Sequence, residues 1–128
     1  MTEGGIVKVQ KERKKITTKT LVTMKQRGEK ITALTAYDFL MARYLDEAGI
    51  DFILVGDSLG NVIQGNATTL TVTLDEIIYH AKIVKKAVKT ALLVVDLPFM
   101  SYHVDLRESV RNCGRVMKET GADAVKLE

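Results

Sequence analysis

Cysteine, proline and long apolar runs are scarce in this chain, and each shortage closes off a class of protein. The single cysteine, Cys113, has no partner for an internal disulfide, which argues against a cross-linked secreted scaffold. It falls on the apolar side of a predicted helix, where a small buried hydrophobe is a simpler role than a nucleophile. No stretch approaches the roughly 20 apolar residues of a membrane-spanning helix. Met1-Thr2-Glu3-Gly4-Gly5 lacks the apolar segment of a signal peptide, so a reducing cytoplasm is the expected setting, with no membrane partner. Charge of either sign is only mildly in excess: 19 basic against 16 acidic residues give a net charge of +3. Much of that excess lies in Lys8, Lys11, Arg13, Lys14 and Lys15, with no aromatic residues among them, which argues against nucleic-acid binding. Residues 1–16 are read as a basic mobile tail, and 17–128 as one domain.

What is present is an alternation of short apolar runs and amphipathic stretches. A short helix is expected over 18–26, capped by Thr18 or Thr20, with Leu21, Val22 and Met24 on its apolar face and Gly28 as its stop. A strand over 31–36 leads to Tyr37-Asp38 and a helix over 39–48, whose Met41, Tyr44, Leu45 and Ala48 share one face. Phe52-Ile53-Leu54-Val55 suits a strand buried on both sides. A polar loop follows over 58–71, longer than most βα connections. Thr73 and Glu76 then form a capping box for a helix that buries Leu74, Ile77, Ile78, Ala81, Val84 and Val88. Its Lys82, Lys85, Lys86 and Lys89 make a solvated face, and His80 is read as structural. A strand over 91–97 is closed by Pro98, the only proline. Asp105 and Glu108 open another helix with Leu106, Val110, Cys113 and Met117 as its buried stripe, and a fourth strand runs from Ala124 to Glu128.

Strand–helix alternation demands a parallel sheet with right-handed crossovers. Two architectures fit: a flavodoxin-like doubly wound domain, and a (β/α)8 TIM barrel, which needs about 250 residues. The flavodoxin-like sheet calls for a fifth strand, and a chain ending on a buried strand lacks a covering helix. The expectation is therefore the N-terminal half of a (β/α)8 barrel, strands 1 to 4.

Three of the predicted strands end in a carboxylate: Asp57 after Gly56, Asp96, and Glu128. Carboxyl ends of parallel strands are where such folds bind ligands. Each acid alone is commonly a helix cap, and a lone lysine is commonly a salt-bridge partner. Together, three converging carboxylates repel one another unless a cation sits among them. With no His or Cys at these positions, the all-oxygen set favours Mg²⁺ over zinc. Such a metal, chelated by a 2-oxo acid, stabilises the enolate formed when a neighbouring C–H is deprotonated. Lys126 alternates with Glu128 and so faces the same side, where its charge could hold a substrate carboxylate.

Five motifs in order carry a resemblance: Thr35-Ala36-Tyr37-Asp38, Val55-Gly56-Asp57-Ser58-Leu59-Gly60, Val72-Thr73-Leu74-Asp75-Glu76 with Tyr79-His80, Asp96-Leu97-Pro98-Phe99-Met100-Ser101-Tyr102 and Val125-Lys126-Leu127-Glu128. Over 17–128 the chain resembles the ketopantoate hydroxymethyltransferases of pantothenate biosynthesis. The resemblance implies a (β/α)8 barrel that transfers a hydroxymethyl group from 5,10-methylenetetrahydrofolate to 3-methyl-2-oxobutanoate. It implies Asp57 and Asp96 as Mg²⁺ ligands, with Glu128 as the third acid of the metal site through water. Asp57, Ser58, Asp96 and Lys126 are the implied contacts to the oxo acid, and the complete protein is expected to be a homo-oligomer. Residues 65–71 depart from the family pattern in lacking a His-Asp pair and a proline. The family's general base, a glutamate, is expected beyond Glu128, so this half alone should be inactive. The alternatives weighed are a Mg²⁺-dependent 2-oxo acid enzyme of the phosphoenolpyruvate mutase or isocitrate lyase type, and a non-catalytic flavodoxin-like binding module.

Overall fold

A computed structural model describes residues 12–128. In chain order it contains α1 (Thr18–Gln26), β1 (Ala33–Thr35), α2 (Phe39–Glu47), β2 (Phe52–Val55), α3 (Leu59–Val62), α4 (Leu74–Ala87), β3 (Leu92–Asp96), α5 (Leu106–Thr120) and β4 (Ala124–Lys126). All strands are parallel, and their spatial order is β1-β2-β3-β4, the order of the chain. That order decides between the two architectures. A doubly wound sheet reverses direction at a switch point and so places its strands out of sequence. Sequential order with crossovers of one hand keeps every helix on one side, and here α2 packs on α4 and α4 on α5. This is the arrangement of four consecutive units of a (β/α)8 barrel.

The core lies between sheet and helices. Ile53 and Val55 of β2 and Leu93 and Val95 of β3 are fully buried against Ile77, Ala81 and Val84 of α4. Each such side chain contributes roughly 1.5–3 kcal/mol by leaving water. The intervening residues Phe52, Leu54 and Val94 face the other side and are half-buried, so β2 alternates rather than being covered on both faces. The capping box of α4 forms as the sequence predicts: Glu76 takes the Thr73 N–H at 2.7 Å, and Thr73 takes the Glu76 N–H at 3.2 Å. For α1 the cap is Thr17, with Thr20 as its reciprocal partner, one position earlier than expected. The predicted long loop contains the short helix α3, whose Leu59 is buried. None of the α1 residues is fully buried, and Val22 is exposed.

Two predicted stripes are not buried. Met41 and Tyr44 are 49% and 56% exposed, and Leu106 and Val110 are 79% and 63% exposed. The buried positions are Ala42 and Asp46 in α2 and Val116 and Thr120 in α5. The helical period explains the difference. Phe39, Arg43 and Glu47 face the end of α4 across a cleft they share with Lys86 and Ala87, which leaves Met41, Tyr44 and Ala48 on the opposite flank. Arg115 of α5 reaches Asp75 of α4 at 2.8 Å, which leaves Leu106, Val110 and Met117 on its far flank. Both stripes thus lie at the outer edges of the helix layer, beside the edge strands β1 and β4.

The amino ends of the strands are held by carboxylates. Asp46 accepts N–H groups of Lys89, Thr90 and Ala91 at 3.0, 3.0 and 2.6 Å, closing the start of β3. Asp51 accepts from the Thr32 N–H at 2.8 Å and from Arg13 at 2.5 Å, and Asp123 accepts from the Leu93 N–H at 2.8 Å and from Lys15 at 2.8 Å. Residues 13–16, read from sequence as part of a mobile tail, are therefore tied down. Arg13 and Lys15 find buried acceptors, and the Ile16 N–H bonds to the Thr90 carbonyl at 2.7 Å. Residues 1–11 of that tail lie outside the described residues. Burial alone would raise the pKa of all three acids, but their donors outweigh it and hold each below the ordinary carboxylate range.

A group with a depressed folded pKa stabilises the fold fully above its unfolded value, about 3.9 for Asp, and loses that contribution as pH falls through the folded value. Acid unfolding is therefore expected to set in below about pH 4 as these three sites protonate. Asp46→Ala, which strands the buried Ala91 N–H, should cost about 2–3 kcal/mol at neutral pH. Urea titrations at pH 7 and pH 3 check both, and a variant as stable as the parent at pH 7 would remove the role given to Asp46.

Candidate active site

The opposite end of the sheet is built differently. In the β3–β4 register Asp96 stands beside Lys126, and Val55 beside Val95, so Gly56 follows on at the level of Asp96. A Cβ on Gly56 would lie 3.3 Å from Asp96 Cβ, tighter than an ordinary contact. Gly56 thus makes room for the Asp96 carboxylate, and β2 hands the chain on to Asp57 just beyond it. Lys126 Nζ donates to Asp96 Oδ2 at 2.7 Å and also to Glu128 Oε1. The Glu128 N–H in turn donates to Tyr102 Oη at 3.2 Å.

Asp96 is only 8% exposed, and its second oxygen, Oδ1, is buried with no hydrogen-bond partner among the described residues. Burial, with the charges of Glu128 and Asp57, pushes its pKa above the ordinary carboxylate range against the pull of Lys126. Burial also works against the Lys126 charge, but its bonds to Asp96 and Glu128 outweigh it and raise the ammonium's pKa. Glu128, largely exposed, is lowered by its bond to Lys126.

Asp57, Asp96 and Glu128 line one cavity of about 310 Å³ at the sheet's carboxyl end, together with Leu70, Leu97, Phe99, Tyr102 and His103. The convergence expected from the sequence is therefore present. The positive charge that the structure places among the acids is the Lys126 ammonium, which was expected to face the substrate carboxylate and instead bonds to Asp96 and Glu128. Among the described residues no three His, Cys, Asp or Glu side chains gather closely enough to hold a metal ion. Glu128 is paired with Lys126. Asp57 and Asp96 remain as an all-oxygen pair. Ser58 does not line the cavity. It sits at the N-terminus of α3 without capping it, and its hydroxyl bonds to the buried Tyr37 hydroxyl. His80 fastens Tyr37 from behind, its Nδ1–H donating to the Tyr37 carbonyl at 2.7 Å, which agrees with the structural role read for it. The rings of Phe99, Tyr102 and His103 were not singled out as site residues, although they follow directly on the strand that ends in Asp96.

Fold and geometry together define an α/β-barrel protein with a carboxylate-lined cavity, its candidate site, at the carboxyl ends of its strands. The family model of the ketopantoate hydroxymethyltransferases matches residues 15–128, and the chain belongs to that family. It is 58% identical over 118 residues to a 3-methyl-2-oxobutanoate hydroxymethyltransferase of Flavobacterium johnsoniae, covering 92% of this chain and 43% of the relative. It is 61% identical over 115 residues to the protein of the same description from Porphyromonas gingivalis, covering 90% and 42%. The chain thus spans less than half the length of these relatives. Among solved structures it is similar to a phosphoenolpyruvate phosphomutase of Streptomyces platensis, with a TM-score of 0.67 at 20% identity, covering 84% of this chain and 36% of that one. A 2,3-dimethylmalate lyase of the PEP mutase/isocitrate lyase superfamily follows at 0.62 and 16%, covering 85% and 38%. At those identities the likeness is one of fold.

The pair of Asp96 and Lys126 is measurable. Removing the ammonium leaves a buried carboxylate uncompensated, a cost moderated here because Lys126 is partly exposed. Lys126→Met should cost about 1–2 kcal/mol. A double-mutant cycle with Asp96→Asn should return a coupling of about 1 kcal/mol or more. Strict additivity in urea unfolding would mean that the two side chains do not interact.

Proposed function

We propose that this chain carries the substrate- and metal-binding half of an enzyme of pantothenate biosynthesis. The enzyme transfers a hydroxymethyl group from 5,10-methylenetetrahydrofolate to 3-methyl-2-oxobutanoate, giving 2-dehydropantoate. The observation that carries the reading is the Asp96 carboxylate, buried, with one oxygen on Lys126 and the other without a partner, beside a cavity it shares with Asp57. An orphaned buried oxygen and a second carboxylate suit a divalent cation, and Mg²⁺ commonly takes one or two protein carboxylates and keeps its other positions for water and substrate. Asp57 and Asp96 would hold it, with Glu128 acting through water. When bound, it supplies a Lewis acid that polarises the 2-oxo group and makes the neighbouring C–H more acidic.

The chain's own residues would do the rest. An ammonium has three N–H groups. Lys126 commits two of them to Asp96 and Glu128 and can offer the third to the substrate carboxylate. Ser58 lies outside the cavity wall with its hydroxyl on Tyr37, so its contact to the oxo acid rests on the family resemblance alone. The C3 proton needs an acceptor that none of these acids can be, since two would be committed to the cation and Glu128 is paired with Lys126. The general base is therefore assigned to a glutamate beyond Glu128, and the complete protein to a cytoplasmic homo-oligomer.

In the complete protein, Asp57→Asn and Asp96→Asn should each abolish Mg²⁺-dependent exchange of the C3 proton of 3-methyl-2-oxobutanoate for deuterium, followed by proton NMR. Normal exchange in both variants would remove the metal assignment. Lys126→Met should raise the KM for the oxo acid by one to two orders of magnitude, since a charge-assisted hydrogen bond contributes roughly 1.5–3 kcal/mol. An unchanged KM would confine Lys126 to its two carboxylates. Residues 1–128 alone should turn over far more slowly than the complete protein, because a positioned base typically contributes about 10²–10⁴-fold. Equal turnover would place the base within this chain.

A further inference from the structure

The segment between β3 and α5 has features that packing alone does not explain. Phe99 and Met100 are about half exposed, at 51% and 50%, although Pro98 before them and Ser101 after them are buried. Met100 holds φ at +67°, a left-handed conformation that costs a non-glycine residue strain. The backbone is nevertheless pinned from below. Ser101 Oγ donates to the Pro98 carbonyl at 2.6 Å, Asn112 Nδ2 to the Ser101 carbonyl at 2.6 Å, and Ser109 Oγ to the Tyr102 carbonyl at 3.0 Å. From above, the Met100 N–H donates to His103 Nδ1 at 3.1 Å, which leaves Nε2 as the protonated nitrogen of a neutral ring. The result is three rings held together. Tyr102 and His103 lie 4.2 Å apart at 31°, and Phe99 lies 5.2 Å from His103 at 55°. All three line the cavity that also holds Asp57 and Asp96.

A strained turn, anchored by side chains of the following helix, that presents aromatic rings to a polar cavity is a pre-organised stacking surface. We propose that Phe99 and His103 bind a planar heteroaromatic ring at the mouth of this site. Resting on the function proposed above, that ring is the pterin of the one-carbon donor. The acids then serve the oxo acid and its metal, and the rings serve the second substrate. This gives one cavity two chemically distinct walls. Phe99 supplies an open face, and His103, fixed by Met100, supplies a second ring beside it.

The test is the dissociation constant of tetrahydrofolate with the complete protein, by calorimetry, for the parent, Phe99→Leu, Phe99→Tyr and His103→Ala, with thermal melts to confirm folding. Loss of one stacking ring should weaken binding roughly 5- to 150-fold in Phe99→Leu and in His103→Ala. Phe99→Tyr, which keeps the ring, should bind in the parent's range, and p-aminobenzoylglutamate, which lacks the pterin, should bind the parent and Phe99→Leu alike. Parent-like affinity in Phe99→Leu, or equal weakening in Phe99→Tyr, overturns the stacking surface while leaving the proposed function intact. Failure of the parent to bind tetrahydrofolate removes the donor assignment, and the pterin proposal with it, while the exchange experiment on the oxo acid still reports on the metal site.

Discussion

Asp96 and Lys126 are register partners on adjacent parallel strands, and the rest of the site follows from that adjacency. A carboxylate placed this deep needs a counter-charge, and Lys126 supplies it to one oxygen only. The second oxygen is left with an electrostatic demand that no group among the described residues meets. Gly56 on the neighbouring strand is part of the same arrangement, because a side chain there would press on Asp96. Glu128, two residues along β4 from Lys126, completes the charge pattern by occupying the ammonium from the solvent side.

The two ends of the sheet treat acids in opposite ways. At the amino ends Asp46, Asp51 and Asp123 accept several hydrogen bonds each, and all three titrate below their ordinary range. They close strand starts and fasten residues 13–16, so they serve stability. At the carboxyl end Asp96 is underbonded and titrates above its ordinary range. Barrel folds divide labour between their two faces in this way, with strength below and chemistry above. The polarity of the parallel sheet makes the division possible, since every strand presents the same end to the same side.

The exposed stripes on α2 and α5 show what hydrophobic periodicity reports. Met41 with Tyr44, and Leu106 with Val110, are apolar at helical spacing, and the pattern identifies each helix correctly. It does not say which neighbour covers the stripe. In this structure α4 takes the other flank of both helices, and the apolar flanks stand at the two edges of the layer.

Much of the fold was legible along the chain. Capping residues Thr73, Glu76 and Asp105 and the apolar runs mark elements through interactions between near neighbours, and those are local by nature. The acids at the strand ends, Asp57, Asp96 and Glu128, were legible for the same reason, since a strand's end is a local property. A further signal lay in plain view in Gly49-Ile50-Asp51 and Gly121-Ala122-Asp123. Each pairs a left-handed glycine, at φ 85° and 70°, with an acid that ties the next strand to its neighbour. Tertiary structure alone fixed the strand order, which bears out the half barrel expected from the sequence over a doubly wound sheet. It alone assigned Lys126 to Asp96 and Glu128, Ser58 to Tyr37, and three rings to the wall of the acid-lined cavity. The Lys126–Asp96 and Ser58–Tyr37 pairings join residues far apart in the chain. They depend on register and on which faces meet, and no periodicity within a single element encodes either.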